Sequence, residues 1–223
     1  MNLLVNRSDT VEVQPRKLLE FFDEAPPLSR KHATAVVSVG GEELGIALIL
    51  HYLERRGIHA SVIGDRCTPG TKTGVRLDAW IEAPGPSAAT LYQVEVKNWS
   101  AHAIGGQILP VDAPPRMIAA YAQDRWKQVW DGHHFADPSV AKVLHPMKSP
   151  RGGGQVEPLI CFWWALHPTD PLFSVDLQGE TFPRVWVFSM SLYLRQCTEN
   201  AILLRMPKTC RRLQWLSELF VPR

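Results

Sequence analysis

The sequence predicts an α/β fold: a mixed central β-sheet flanked by helices, with helical additions at both ends. Two apolar runs, Val75–Ile81 and Leu91–Lys97, are joined across the turn Ala83-Pro84-Gly85-Pro86-Ser87, which is short enough to close an antiparallel hairpin. Two further stretches, Leu159–Leu166 and Arg184–Phe188, are apolar almost without interruption, as strands covered on both faces are. Between residues 32 and 56, Leu44, Ile46, Ala47, Leu48, Leu50 and Leu53 form a stripe wide enough for a helix buried on more than one side.

The remaining elements follow in chain order. Pro15 can open a helix through RKLLEFFDEA that stops before Pro26-Pro27, an accessory packing or partner-binding element rather than part of the catalytic core, since none of its residues suggests a site. Gly40-Gly41 marks the start of the next helix or a kink in it, Gly57 ends it, and Ile58–Ile63 reads as a strand. Pro114–Trp130 reads as a helix. Ala136–Val156, with Arg151-Gly152-Gly153-Gly154, reads as a mobile connection. Ser191–Gln196 and Thr209–Phe220 are further helical pieces, the second with Leu213, Leu216, Leu219 and Phe220 on one side and Arg211 and Arg212 on the other. One domain over residues 1–223 accommodates all of this: an accessory segment to 31, a core over 32–135, and a sheet extension with basic helices over 136–223.

Composition excludes several classes. An apolar content of 45% and a charged content of 21% are those of a folded chain, and a net charge of +2 announces no polyanion partner by itself. Local charge is more telling, because Arg195, Arg205, Lys208, Arg211, Arg212 and Arg223 make the last stretch basic, and Lys142, Lys148 and Arg151 form a second basic group. Cys67, Cys161, Cys197 and Cys210 are too scattered for a zinc knuckle or a disulfide framework. No apolar run approaches a membrane span or a signal peptide, so a cytoplasmic protein is expected.

The chemistry concentrates on the hairpin. Strand alternation sets Glu95 and Lys97 on one face and Val94 and Val96 on the other, and hairpin closure brings Asp78 alongside Glu95. Two carboxylates and an ammonium converge there. Carboxylate oxygens suit Mg²⁺ or Mn²⁺, and a neighbouring lysine can hold a water or neutralise a phosphate.

Asp78, sixteen intervening residues, then Glu95-Val96-Lys97 resembles the PD-(D/E)XK, or restriction-endonuclease-like, nucleases, although Leu77 stands where the family name has proline. Gly41-Glu42, Gly45, Tyr52-Leu53 and Gly57 echo the helix that precedes the hairpin in that family, with Glu43 competing with Glu42 for its acid. The resemblance covers Gly40 to Ser100, about a quarter of the chain. It implies a restriction-endonuclease-like core and a Mg²⁺- or Mn²⁺-dependent phosphodiesterase acting on nucleic acid, DNA in the first instance, in prokaryotic defence or DNA processing. Asp78, Glu95 and the Val96 carbonyl would hold the metal, Lys97 would serve the attacking water or the phosphate, and Glu42 or Glu43 would tune the site. No reader module is appended, so specificity would come from nucleic-acid structure or from a partner, either another protein or a second copy in a homodimer.

The plainer readings are an E-V-K triplet on an exposed strand with Asp78 as an edge acid, or a noncatalytic nucleic-acid-binding or assembly protein that keeps the fold. Other motifs fall short. Gly64–Gly74 has the wrong lysine register for a phosphate-binding loop and leads into a strand, although Arg66 and Lys72 could meet phosphates. Arg125 and Lys127 read either as phosphate contacts or as a solvated face, and His102 as an ordinary surface residue. His133-His134 lacks further zinc ligands, and Ser38 lacks the nucleophile-elbow glycine.

Overall fold

The computed structural model describes residues 9–24, 30–64, 77–86, 88–97, 108–178 and 181–219. Arg66, Lys72, Cys67 and His102 lie outside the described residues. A six-stranded mixed sheet forms the centre, built from β2 (Ser61–Gly64), β3 (Ala79–Ala83), β4 (Thr90–Lys97), β5 (Gln155–Phe162), β6 (Leu172–Asp176) and β7 (Arg184–Ser189), in the spatial order β2-β3-β4-β5-β7-β6. β2, β3 and β4 run antiparallel, β4, β5 and β7 run parallel, and β6 closes the far edge antiparallel to β7. A small second sheet pairs β1 (Thr10–Val13) with β8 (Ile202–Arg205), tying the two ends of the chain together.

Helices cover both faces. The 26-residue α2 (Arg30–Arg55) lies on the Val94/Val96 face of β4, with its own Leu48 and Ile49 fully buried. It starts ten residues before Gly40-Gly41 and runs straight through that pair, so the glycines neither start nor end it. The close packing falls to a third glycine one turn on: at Gly45 a Cβ would sit 2.8 Å from Val96 Cγ1 and 3.3 Å from Cys161 Sγ, so only glycine lets the helix press this close to the sheet. Gly57, at φ +75°, ends the helix turn, and the Ile58 N–H bonds back to the Leu53 carbonyl. The opposite, Gln93/Glu95 face is covered by α3 (Pro115–Val129) and by a 3-10 turn over Pro138–Leu144.

Two expectations are corrected here. The segment after α3 is packed, with Val140 and Val143 fully buried, because the valine spacing in that turn gives it an apolar side. The run ending at Leu166 stops being a strand at Phe162. Trp163, Trp164, Ala165 and Leu166 stay buried as a loop because other elements supply their backbone partners: Trp163 N–H donates to the Lys97 carbonyl, Ser191 N–H to the Trp163 carbonyl, and Leu166 N–H to Ser189 Oγ. The N-terminal element, α1 (Pro15–Leu19) followed by a π-turn over Glu20–Glu24, packs its Leu19 and Phe22 into the core. Phe22 lies against Trp163 with ring centroids 4.2 Å apart, and Asp23 is buried where Trp163 Nε1 and Arg195 both reach it.

α4 (Met190–Gln196) and α5 (Pro207–Leu219) complete the fold. Arg195, on α4, is not part of a solvated basic tail: it is buried, donating to Asp23 and to the carbonyls of Leu109, Pro110 and Val111. Arg125 is likewise removed from both of its expected roles, being buried over the rings of Tyr121 and Trp164 and bonded to Gln128. Cys161, Cys197 and Cys210 are free thiols, and among the described residues no helix is long and apolar enough to cross a membrane.

Candidate active site

The hairpin places the acids as alternation requires. Ala79 is opposite Val94, and the Asp78 N–H bonds to the Val94 carbonyl, which sets Asp78 at the open end of β3 beside Glu95 and Val96. The Asp78 carboxylate accepts the Val96 N–H at 2.7 Å. In an antiparallel pair the N–H and C=O of one residue point to the same neighbour, so the Val96 carbonyl also faces the Asp78 side. Glu95, 3% exposed, is gripped from both sides: Lys97 Nζ lies 2.6 Å from Oε1 and Lys142 Nζ 2.6 Å from Oε2.

The sequence groups Lys142 with Lys148 and Arg151 as a basic region, well away from the hairpin. The buried amide of Gln93 brings it in. Gln93 Nε2 donates to the carbonyls of Val143 and His145, and Oε1 accepts the Met147 N–H, which latches the 3-10 turn to β4 two residues from Glu95. No sequence spacing links residue 93 to residues 143–147.

A cavity of about 950 Å³ opens on the α2 side of this cluster. Glu42, Asp78, Val96 and Lys97 line it, and so do the cations Arg205, Lys208 and Arg212. Glu43 lines it too, but its carboxylate is occupied by the first turn of α5, accepting the Lys208 N–H at 2.8 Å, and the Thr209 N–H and hydroxyl at 2.6 Å each. Glu43 is thus the capping group of α5, and it ties that basic helix to the wall of the cavity. Glu42 is exposed toward the cavity, and its charge is felt at Asp78. Among the described residues, no group of three or more His, Cys, Asp or Glu side chains surrounds a common point as metal ligands would.

Burial, with smaller contributions from the charges of Glu95 and Glu42 and against the opposing effect of the Val96 N–H and Lys142, pushes the Asp78 carboxyl up to about 6. The folded chain therefore keeps a proton at pH values where the unfolded chain has already released it. Stability contributed by this group falls as pH rises from about 4 to 6, and the penalty is complete above that window. Asp78→Asn, which keeps an acceptor for the Val96 N–H, is expected to gain stability relative to wild type as pH is raised from 4 to 7, by on the order of 2–3 kcal/mol at the plateau. Thermal unfolding of both proteins across that range checks it, and an offset independent of pH would contradict it.

No family model matches the chain, and no curated protein or solved structure matches it either.

Proposed function

We propose that the protein is a metal-dependent nuclease with a restriction-endonuclease-like core, hydrolysing phosphodiester bonds of nucleic acid, DNA in the first instance. The observation that carries this reading is the meeting of Asp78, Glu95 and Lys97 at the end of the β3–β4 pair, where Asp78 and Lys97 open onto a cavity that Arg205, Lys208 and Arg212 also line.

The donor chemistry fits a hard divalent cation. Every candidate ligand is an oxygen, and burial leaves the Asp78 carboxylate short of compensating charge, with Glu95 and Glu42 adding to that deficit. Asp78, Glu95 and the Val96 carbonyl would hold Mg²⁺ or Mn²⁺, which supplies Lewis-acid polarisation of the phosphate and a more acidic bound water. The chain's own groups do the rest. Lys97, seated on Glu95 and open to the cavity, neutralises charge on the phosphoryl oxygens or holds the attacking water. Glu42, rather than Glu43, is the helical acid of the site. Arg205, Lys208 and Arg212 hold the backbone.

One observation favours a second reading, a noncatalytic nucleic-acid-binding or assembly protein: Glu95 is already neutralised by two lysines. Purified protein incubated with single- and double-stranded DNA and RNA in Mg²⁺, Mn²⁺ or EDTA separates the two. Cleavage in metal, absent in EDTA and lost in Asp78→Ala, is the expected result. Binding without cleavage of any substrate would establish the noncatalytic reading.

A further inference from the structure

The outward face of α5 continues the basic wall of the cavity and ends in an exposed aromatic ring. At about 100° per residue, Lys208, Arg211, Arg212 and Trp215 fall within one arc of roughly 100°, while Thr209 and Cys210, both buried, occupy the other side. Lys208 and Arg212 line the cavity, and Trp215, 60% exposed, stands one turn further along, about 10 Å from Lys208. The N-terminus of this helix is capped by Glu43, so any affinity for anions here comes from the side chains and not from free backbone N–H groups.

Lone charges on a helix face are ordinary, and so is a lone exposed tryptophan. Their succession along one face that leads into a cavity is what matters. Cations alternating with an open aromatic face match a phosphate backbone whose bases are free to stack, and a duplex hides those base faces within its own stack. We infer that α5 is a rail for single-stranded nucleic acid, with Lys208 and Arg212 on the backbone and Trp215 stacked on an unpaired base, and that the substrate reaches the cavity as a single strand or an unpaired end. This rests on the nuclease reading for what happens in the cavity, but not for the binding itself.

The test uses the full chain in EDTA, with a fluorescently labelled 20-nucleotide single strand and the matching blunt duplex as probes. Trp215→Ala is expected to weaken single-strand binding by about ten-fold or more and duplex binding by less than two-fold, with Trp215→Phe recovering most of the loss. Arg212→Ala is expected to weaken both probes and to flatten the salt dependence, which Trp215→Ala leaves unchanged. Equal loss on both probes, or no loss on the single strand, overturns the inference. So does a Trp215→Ala variant that keeps its affinity but dissociates a self-associated wild type, which would assign Trp215 to a protein contact. The two readings fail separately: a wild type that cleaves while Trp215→Ala binds normally removes the rail and keeps the nuclease, and Trp215-dependent single-strand binding without cleavage does the reverse.

Discussion

Lys97→Ala is expected to reduce metal-dependent cleavage by about 10²–10⁴ in rate while leaving Mn²⁺ binding at least as tight as in wild type. The asymmetry follows from where the ammonium sits. Lys97 Nζ is 2.6 Å from Glu95 Oε1, so it competes with a cation for that oxygen, and Lys142 still holds the other oxygen when Lys97 is gone. Removing a positive charge from beside a cation site favours the cation, and removing the group that meets the phosphate or water slows the reaction. Asp78→Ala and Glu95→Ala should instead lose metal binding and cleavage together, because hard cations depend on anionic oxygen. Calorimetric Mn²⁺ titration beside a cleavage assay, run on all three variants, reads both quantities. Wild-type cleavage by Lys97→Ala would refute the assigned role of the lysine, and parallel loss of metal by all three would show that Lys97 acts only by placing Glu95.

Arg195→Ala is expected to lower stability by about 3–5 kcal/mol, or roughly 6–20 °C in Tm for a chain of this size. Its side chain is 4% exposed and that of Asp23 is 3% exposed, so truncation leaves a carboxylate buried without its cation. The same change strips a donor from the carbonyls of Leu109, Pro110 and Val111, which the guanidinium holds at 2.6–2.9 Å. Asp23→Asn, which retains an acceptor for Trp163 Nε1, should be milder. Chemical denaturation of both single variants and of the Asp23→Leu/Arg195→Leu pair measures the effect. A pair more stable than Arg195→Ala would show that the stranded charge is the main penalty, and a loss below 1 kcal/mol for Arg195→Ala would contradict the burial argument.

The parts of this protein that its sequence determined are those governed by short-range periodicity. Alternation alone sets Glu95 and Lys97 together on β4, and the five-residue proline and glycine turn predicts the pairing of residues 79–83 with 90–94 that the fold contains. The apolar stripe of α2 and the continuous runs of β5 and β7 are legible for the same reason: burial on one or two faces writes itself into consecutive residues.

Tertiary structure alone decided which charges share a site. Glu42 and Glu43 are neighbours with the same side chain, and only the arrival of α5 from 165 residues away turns Glu43 into a cap and leaves Glu42 to the cavity. Lys142 reaches Glu95 because Gln93 binds carbonyls fifty residues distant, and Arg195 and Arg125 leave the surface because an acid or an aromatic ring waits in the core. A long charged side chain looks the same in sequence whether it ends in water, on a buried carboxylate or over an indole. Its fate depends on desolvation and on partners that the packing of distant segments supplies.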